Sequence, residues 1–381
     1  MKFSRENNRL PLRVLQVCDL QAGGISSLIL SVCTQMDREK VNFDYLVYRN
    51  QEEFDDHRVR KLGGRKLIAD DTGARNHPEK IFRRFFRTWK ILREEKPEIF
   101  HINASSPYEC LVGIAGRLAG TKNIILHSHT SQLEKRGAGQ KFFQEIFRLL
   151  LPLCGNHYFA CSEKAAKFLY GKRLQKKVVY IKNGIRTEKF RFDKKTRVKM
   201  REDYQTKDAL VIGHVGRFCE AKNHSYLLEI FAEIQKKVPK AFLLLIGQGE
   251  LEEELMSRAV ELNLRDSIIH IASTDRVEDF FCMMDVFLLP SLYEGFPIAG
   301  VEAQASGLPC VFSSRVTKEA ALTDRAYFLS LNRPAAEWAK FVSAAAGQVS
   351  DAREKYAEAV REAGYDIRDT AHWLQEFYLG L

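Results

Sequence analysis

The chain has 381 residues, 45% apolar and 28% charged, with eight cysteines and a net charge of +10. That is the composition of a globular protein with room for two domains. It excludes a membrane-spanning helix, which needs ~18 consecutive apolar residues. The polar stretch 1–13 has no apolar signal core. The scattered cysteines form no C-x-x-C pair, so they read as free thiols of a reducing compartment, not a disulfide framework.

In chain order, the first half predicts strands at 13–18, 43–48, 99–102, 123–127, 157–160 and 178–181. Helices at 25–35, 78–95, 107–118 and 140–153 fall between them. The charged segment 186–206 reads as a linker and the first helix of a second domain. The pattern then restarts, with strands at 210–215, 241–246, 267–270, 286–289, 310–312 and 327–329. Helices at 335–347, 350–364 and 369–379 close the chain. Strands that alternate with helices in this way argue α/β with parallel sheets. Two doubly wound domains place a cleft at the carboxyl ends of their strands. The final helix carries Trp373, Leu374, Phe377 and Tyr378, so it must pack on something. Charge is uneven: residues 1–190 hold 35 Lys+Arg against 20 Asp+Glu, whereas the remainder is net acidic. Such asymmetry directs the first half toward an anionic partner, namely nucleic acid, an anionic membrane or a phosphorylated substrate. No recognised nucleic-acid-binding domain accompanies it.

The segment Glu294-Gly295-Phe296-Pro297-Ile298-Ala299-Gly300-Val301-Glu302 follows a buried strand and holds two carboxylates eight positions apart. Pro297 suits the first helical position. Glu302 then lies inside a helix of small apolar residues, where a carboxylate is costly unless something donates to it. A hydroxyl-rich ligand such as a ribose or a sugar is a natural donor. A solvated polar edge is the alternative. Arg217 and Lys222 flank a short loop after the strand at 210–215, with Asn223 as a candidate cap for the next helix, an arrangement suited to phosphate. Gly247 and Gly249 shape a second strand-to-helix loop. Gly23 and Gly24 shape a third, which is not a G-x-G-x-x-G dinucleotide fingerprint. His127 and His129 share a face where the chain stays extended. No third ligand at useful spacing supports zinc, so His129 reads either as a cleft residue or as a satisfied structural histidine. Asp55-Asp56 and Asp70-Asp71 fall in turn-like sequence and read as solvated. The helix at 79–96 mixes Phe82, Phe85, Phe86 and Trp89 with Arg83, Arg84, Arg87 and Lys90. That pattern fits a sheet-packing helix with a basic wet face, or one lying on an anionic bilayer.

The order of these motifs — the Gly23-Gly24 loop, His129, Asn183-Gly184-Ile185, Gly216-Arg217-x4-Lys222-Asn223, Gly247-x-Gly249, Glu294-x7-Glu302 — resembles retaining glycosyltransferases of the GT-B fold, glycosyltransferase family 4. The region around His127-Ser128-His129 resembles members that build bacterial capsular or exopolysaccharide. The resemblance implies two Rossmann-like domains: 1–190 with 366–381 binding acceptor, and 191–365 binding a nucleotide-sugar donor. The terminal helix would cross back to the first domain. It implies that Arg217 and Lys222 hold the donor diphosphate and Glu302 the ribose. Glu294 would contact the donor sugar, and the backbone of Gly295, Phe296, Pro297 and Ile298 would approach the β-phosphate. His129 would sit near the transferred sugar, and Gly23 and Gly24 would border the diphosphate. It further implies a metal-independent transfer of a hexosyl or N-acetylhexosaminyl group, with UDP the commonest nucleotide and no cofactor beyond that substrate. The acceptor would be a glycan or a polyprenyl-linked glycan. The protein would be cytoplasmic, with peripheral contact to the inner face of the membrane and no nucleic-acid partner. The first loop reads Gly23-Gly24-Ile25-Ser26-Ser27 where relatives carry Gly-Gly-x-Glu-Arg. Two other readings compete: a sugar-nucleotide epimerase on the same fold, and a non-catalytic nucleotide or nucleic-acid binder.

Overall fold

The computed structural model describes residues 10–20, 24–130, 138–347 and 352–381. Its strands form two sheets. The first contains β1 (Leu12–Val17), β2 (Val41–Val47), β3 (Lys66–Ile68), β4 (Ile99–Ala104), β5 (Asn123–Ser128), β6 (His157–Ala160) and β7 (Val178–Tyr180), in the spatial order β3-β2-β1-β4-β5-β6-β7. The second contains β8 (Leu210–Val215), β9 (Ala241–Ile246), β10 (Ile268–Ile271), β11 (Val286–Leu289), β12 (Cys310–Ser313) and β13 (Ala326–Leu329), in the order β10-β9-β8-β11-β12-β13. All pairings are parallel. The central strands read as near-continuous apolar runs because helices cover both sheet faces. In each sheet the winding reverses once, between β1 and β4 and between β8 and β11. Such switch points open a crevice beyond the strand carboxyl ends.

The predicted strands are all present. The short edge strand β3 is an addition that the sequence reading missed, since three residues carry too little alternation to register. The predicted helix at 107–118 is a 3-10 turn, Glu109–Leu111, followed by the helix Val112–Ala119. The predicted helix at 350–364 opens outside the described residues, then continues as a 3-10 turn at Ala352–Lys355 and the helix Tyr356–Glu362. All eight cysteines are free.

One expectation fails. Asp55, Asp56 and Asp71 are buried, at 1%, 6% and 5% exposure. Asp55 pairs with Arg58 at 2.9 Å, Asp56 with Lys66 at 2.7 Å, and Asp71 with Arg84. Arg58 is a local partner, three residues along the helix that Asp55 precedes, whereas tertiary packing brings Lys66 to Asp56 and Arg84 to Asp71.

The terminal helix Ile367–Leu379 packs on the helix Gly24–Gln35 and sends Leu374 and Tyr378 into the core beside β1 and β2. The chain therefore returns to the first sheet after completing the second. The two crossing segments are bound to each other. Ile185 N–H donates to Tyr365 O, Ile367 N–H to Ile185 O, and the Thr187 hydroxyl to Asp366 Oδ2, at 2.9, 2.8 and 3.0 Å. Gly184 is required there, because a Cβ would lie 2.7 Å from Asp366 O.

Candidate functional site

A cavity of about 1260 Å³ lies between the carboxyl ends of the two sheets, lined by loops from both. On the side of the second sheet, the loop after β8 brings Gly216, Arg217 and Lys222 to it. Lys222 Nζ lies 2.6 Å from Glu294 Oε1, which also accepts from Ser291 Oγ at 2.8 Å. The lysine and glutamate side chains are only 18% and 11% exposed, so this pair is largely shielded from water. Gly216 leaves room for it, since a Cβ there would sit 2.9 Å from Lys222 Cε. Arg217 is different: it pairs with Glu250 at 3.0 Å across an open surface, with side chains 60% and 46% exposed. It can turn toward a ligand at little cost.

Asn223 precedes the helix His224–Lys237, but its backbone is left-handed (φ 58°, ψ 47°) and its side chain does not cap. The amide Nδ2 donates instead to Pro290 O at 3.1 Å, which ties this loop to the one carrying Glu294. Pro297 sits one residue ahead of its expected place. With ψ 89° it is the residue before the helix Ile298–Ala305, not the first residue inside it.

Glu302 lies on that helix, in the cavity wall. Its carboxylate makes no hydrogen bond to any described residue. Burial pushes its pKa up to about 8; Lys189 and Arg186 pull it down and Glu278 adds to the rise. Lys189, which the sequence reading did not single out, bonds to Glu278 at 2.9 Å and to Asp275 O at 3.1 Å. It thereby ties the crossing segment to the loop containing Ala272, Ser273 and Thr274, which also lines the cavity.

On the side of the first sheet, His129 follows β5 and is 8% exposed. Its Nε2 lies 2.9 Å from Asn103 Oδ1. The Asn103 amide is oriented by its other contacts: Nδ2 reaches Val17 O at 3.2 Å and Gln16 Oε1 at 3.0 Å, and a carbonyl can only accept. Oδ1 therefore faces His129, and the histidine carries its proton on Nε2. Nδ1 is left with a free lone pair and no partner among the described residues. Burial drives the His129 pKa down to about 3, so the ring is neutral. Beneath it runs a buried polar chain. Gln16 Nε2 donates to Tyr378 Oη at 3.3 Å, Tyr378 Oη lies 2.7 Å from His101 Nδ1, and His101 Nε2 lies 3.2 Å from His127 Nδ1. The returning terminal helix thus reaches the histidines under the cavity. No sequence pattern could reveal that link, because Gln16 and Tyr378 are 362 positions apart.

The glycines divide by role. Gly24 and Gly247 line the cavity. A Cβ on Gly247, whose φ is 140°, would lie 2.1 Å from Gly216 O. Gly249 does not line it; it packs on Phe218, where a Cβ would come within 2.4 Å of the backbone oxygen. Gly295 does not line it either. It presses on His129 O, 1.9 Å from where a Cβ would be, and accepts from Ser162 Oγ at 3.0 Å, joining the two halves of the cleft. Phe296, Pro297 and Ile298 line the wall beside it. Gly23 lies outside the described residues. Among the described residues no group of three or more His, Cys, Asp or Glu is arranged to hold a metal ion.

Comparison with known proteins places this site in a family. The model described as Glycosyltransferase Family 4 matches residues 22–189, and the one described as Glycosyl transferases group 1 matches residues 196–327. EpsF of Bacillus subtilis (strain 168) is 32% identical over 377 residues, 96% of each chain. The chain belongs to glycosyltransferase family 4. CapM of Staphylococcus aureus, a capsular polysaccharide biosynthesis glycosyltransferase, is 28% identical over 60% of this transferase and 61% of its own length. An Escherichia coli UDP-Gal:alpha-D-GlcNAc-diphosphoundecaprenol alpha-1,3-galactosyltransferase is 29% identical over 59% of this chain and 60% of its own. Among solved structures, Anabaena HepE in complex with UDP and glucose superposes with a TM-score of 0.77 at 14% identity, over 97% of this chain and all of the other. The likeness to HepE establishes the GT-B fold for the transferase. The relatives support a role in polysaccharide biosynthesis.

Proposed function

We propose that this transferase moves a hexosyl or N-acetylhexosaminyl group, with retention at the anomeric carbon, from a UDP-linked sugar to a glycan or polyprenyl-linked acceptor. In this reading residues 191–365 grip the donor, and residues 1–190 with 366–381 face the acceptor. The carrying observation is Glu302, a carboxylate in the cavity wall without a hydrogen-bond partner among the described residues, one helix from the Lys222–Glu294 pair. Ribose hydroxyls would supply its missing donors. Arg217 and Lys222 would take the diphosphate, and Glu294 and His129 would bracket the sugar. Breaking the anomeric C–O bond leaves growing negative charge on the diphosphate. The two cations and the start of the helix Ile298–Ala305 stabilise that charge without a metal. The sugar becomes oxocarbenium-like, and the acceptor hydroxyl attacks from the face the diphosphate leaves, passing its proton to the departing diphosphate oxygen. Gly247, Phe296, Pro297 and Ile298 shape the wall against the donor; Gly249 and Gly295 hold the loops that carry it. Gly24 borders the diphosphate from the other half.

The E. coli relative acts, by its name, on a diphosphoundecaprenol acceptor. A lipid-linked acceptor fits the surface near the cleft. The helix His77–Glu95 exposes Phe82 and Phe86, 61% and 46%, among Arg83, Arg87 and Lys90. That face suits shallow contact with the anionic inner leaflet. No described helix is long and apolar enough to cross a membrane.

A thermal-shift panel of sugar nucleotides at fixed concentration tests the donor assignment, because a preferred ligand raises Tm by mass action. Product analysis with the stabilising donor separates transfer from epimerisation. Absence of stabilisation by every nucleotide sugar would overturn the reading.

A further inference from the structure

Among the described residues, Arg186, Lys189, Arg217 and Lys222 are the cationic side chains that line the cavity on the side of the second sheet and the crossing segment. Three of them are engaged. Lys222 pairs with Glu294, Lys189 with Glu278, and Arg217 with Glu250. The Arg186 guanidinium makes no hydrogen bond and no ion pair to any described residue. Its backbone, by contrast, is firmly held. On one side Ile185 exchanges hydrogen bonds with Tyr365 and Ile367, and on the other the Thr187 hydroxyl reaches Asp366. Lys189 N–H donates to Arg186 O at 2.9 Å and closes a turn. Ile185 and Thr187 are buried, at 4% and 2% exposure, whereas Arg186 between them is exposed and lines the cavity. The crossing point of the chain thus presents this side chain to the cleft from an anchored backbone. Its charge reaches Glu302: Lys189 and Arg186 both pull the raised Glu302 pKa down.

We propose that Arg186 binds the α-phosphate of the donor nucleotide, as a third cation that the crossing segment supplies. The inference rests on the donor reading above, in which Glu302 takes the ribose and Arg217 and Lys222 take the diphosphate. The α-phosphate is esterified to the ribose, so it is the phosphate that a group beside Glu302 meets first. An anion that leaves water for a shielded wall needs countercharge. Lys222 supplies little net charge, because Glu294 Oε1 lies 2.6 Å from its ammonium. Arg217 alone would then serve two phosphates. An unpaired guanidinium gives up no ion pair when it turns to a phosphate, and its planar fork matches two phosphate oxygens. The role differs from that of Arg217 and Lys222. The α-phosphate keeps the same single charge throughout the transfer, whereas the β-phosphate gains one as the sugar departs. A cation on the α-phosphate therefore holds substrate and transition state alike, and it sets donor affinity, not rate.

Ligand-observed NMR titrations of the full chain with UDP, UMP and uridine test this. Arg186→Ala should weaken UDP and UMP to the same degree, about ten- to a hundredfold, the loss of a charged hydrogen-bond donor on a phosphate. Uridine binding should not change. Arg186 is exposed and unpaired among the described residues, so the empty variant should melt at the wild-type temperature. Unchanged UDP and UMP affinities in the variant would overturn the inference. So would uridine weakened as much as UMP, which puts the guanidinium on the base or ribose, or UDP weakened with UMP spared, which puts it on the β-phosphate. Wild-type protein that binds UDP but not UMP would overturn it too. Failure of the wild type to bind UDP would instead strike the donor reading, which the wild-type titration records separately.

Discussion

Replacing Glu302 by glutamine probes the donor site through its protonation. Burial raises the carboxyl to about 8, so in the empty site it is mostly protonated at neutral pH. Ribose hydroxyls donate, and they favour the carboxylate; binding must therefore release a proton. That release costs about 1.4 kcal/mol at pH 7, about 2.7 kcal/mol at pH 6, and almost nothing above pH 8. A hydrogen bond to a charged acceptor contributes about 1.5–3 kcal/mol, and a neutral one about 1 kcal/mol. With two hydroxyls, the ionised wild type outbinds the carboxamide by about 1–4 kcal/mol before the proton is counted. Glu302→Gln should therefore weaken UDP binding about ten- to a hundredfold near pH 8.5 and hardly at all near pH 6. Isothermal titration calorimetry in two buffers of different ionisation enthalpy reads both quantities. The wild type should release close to one proton per UDP at about pH 7, and the variant none. The unliganded protein gives an internal control. A carboxyl whose folded pKa is raised favours the fold while protonated. That contribution is complete below its unfolded value and lost as pH rises to about 8, so the wild type should lose about 1.4 kcal/mol per pH unit in that window relative to the variant. An affinity difference independent of pH, or binding without proton release, would refute the reasoning.

Four further outcomes follow from the geometry. Lys222→Ala leaves the Glu294 carboxylate without its shielded cation; initial rates should fall about 10²–10³-fold and urea melts should lose up to about 3 kcal/mol. Arg217→Ala should cut turnover while costing less than about 1 kcal/mol of stability, because its pair with Glu250 is exposed; a large loss of stability would contradict that. Gly295→Ala forces a Cβ onto His129 O and should push the Glu294 loop away from the end of β5; kcat should drop, and an unaltered rate would show that this contact is dispensable. Tyr378→Phe removes the hydroxyl between Gln16 and His101 and should lower stability by about 1–3 kcal/mol; an unchanged melting temperature would show the buried polar chain to be idle.

Much of the scaffold is written in local periodicity. The apolar runs at Ala241–Ile246 and Val286–Leu289, and the run at Leu210–Val215 that Gly213 and His214 interrupt, mark their strands to the residue, because parallel strands buried on both faces favour Val, Ile, Leu and Phe. Motif spacing then places Arg217, Lys222, Glu294 and Glu302 on loops and helix starts at one sheet edge. Glycines are less transparent. Gly247 and Gly249 stand in one short loop, yet one lines the cavity and the other packs on Phe218. Sequence shows that a side chain is missing, not which neighbour forbids it. Asp56 and Asp71 misled for the same reason: their cations come from other elements, whereas Asp55 pairs locally with Arg58. Asn103 carried a usable signal, since it stands at the carboxyl end of a recognisable strand.

Sequence alone determined the two-sheet class, the chemical character of each loop and every strand except the short edge strand β3, because backbone pattern and residue type are local properties. Tertiary structure decided which loops face one another. It set Gly295 against His129, raised Glu302 by burial, fixed the His129 tautomer through Asn103, and brought Tyr378 beneath it from the far end of the chain. Those outcomes depend on distances between segments from 26 to 277 positions apart, and only the folded core sets such distances.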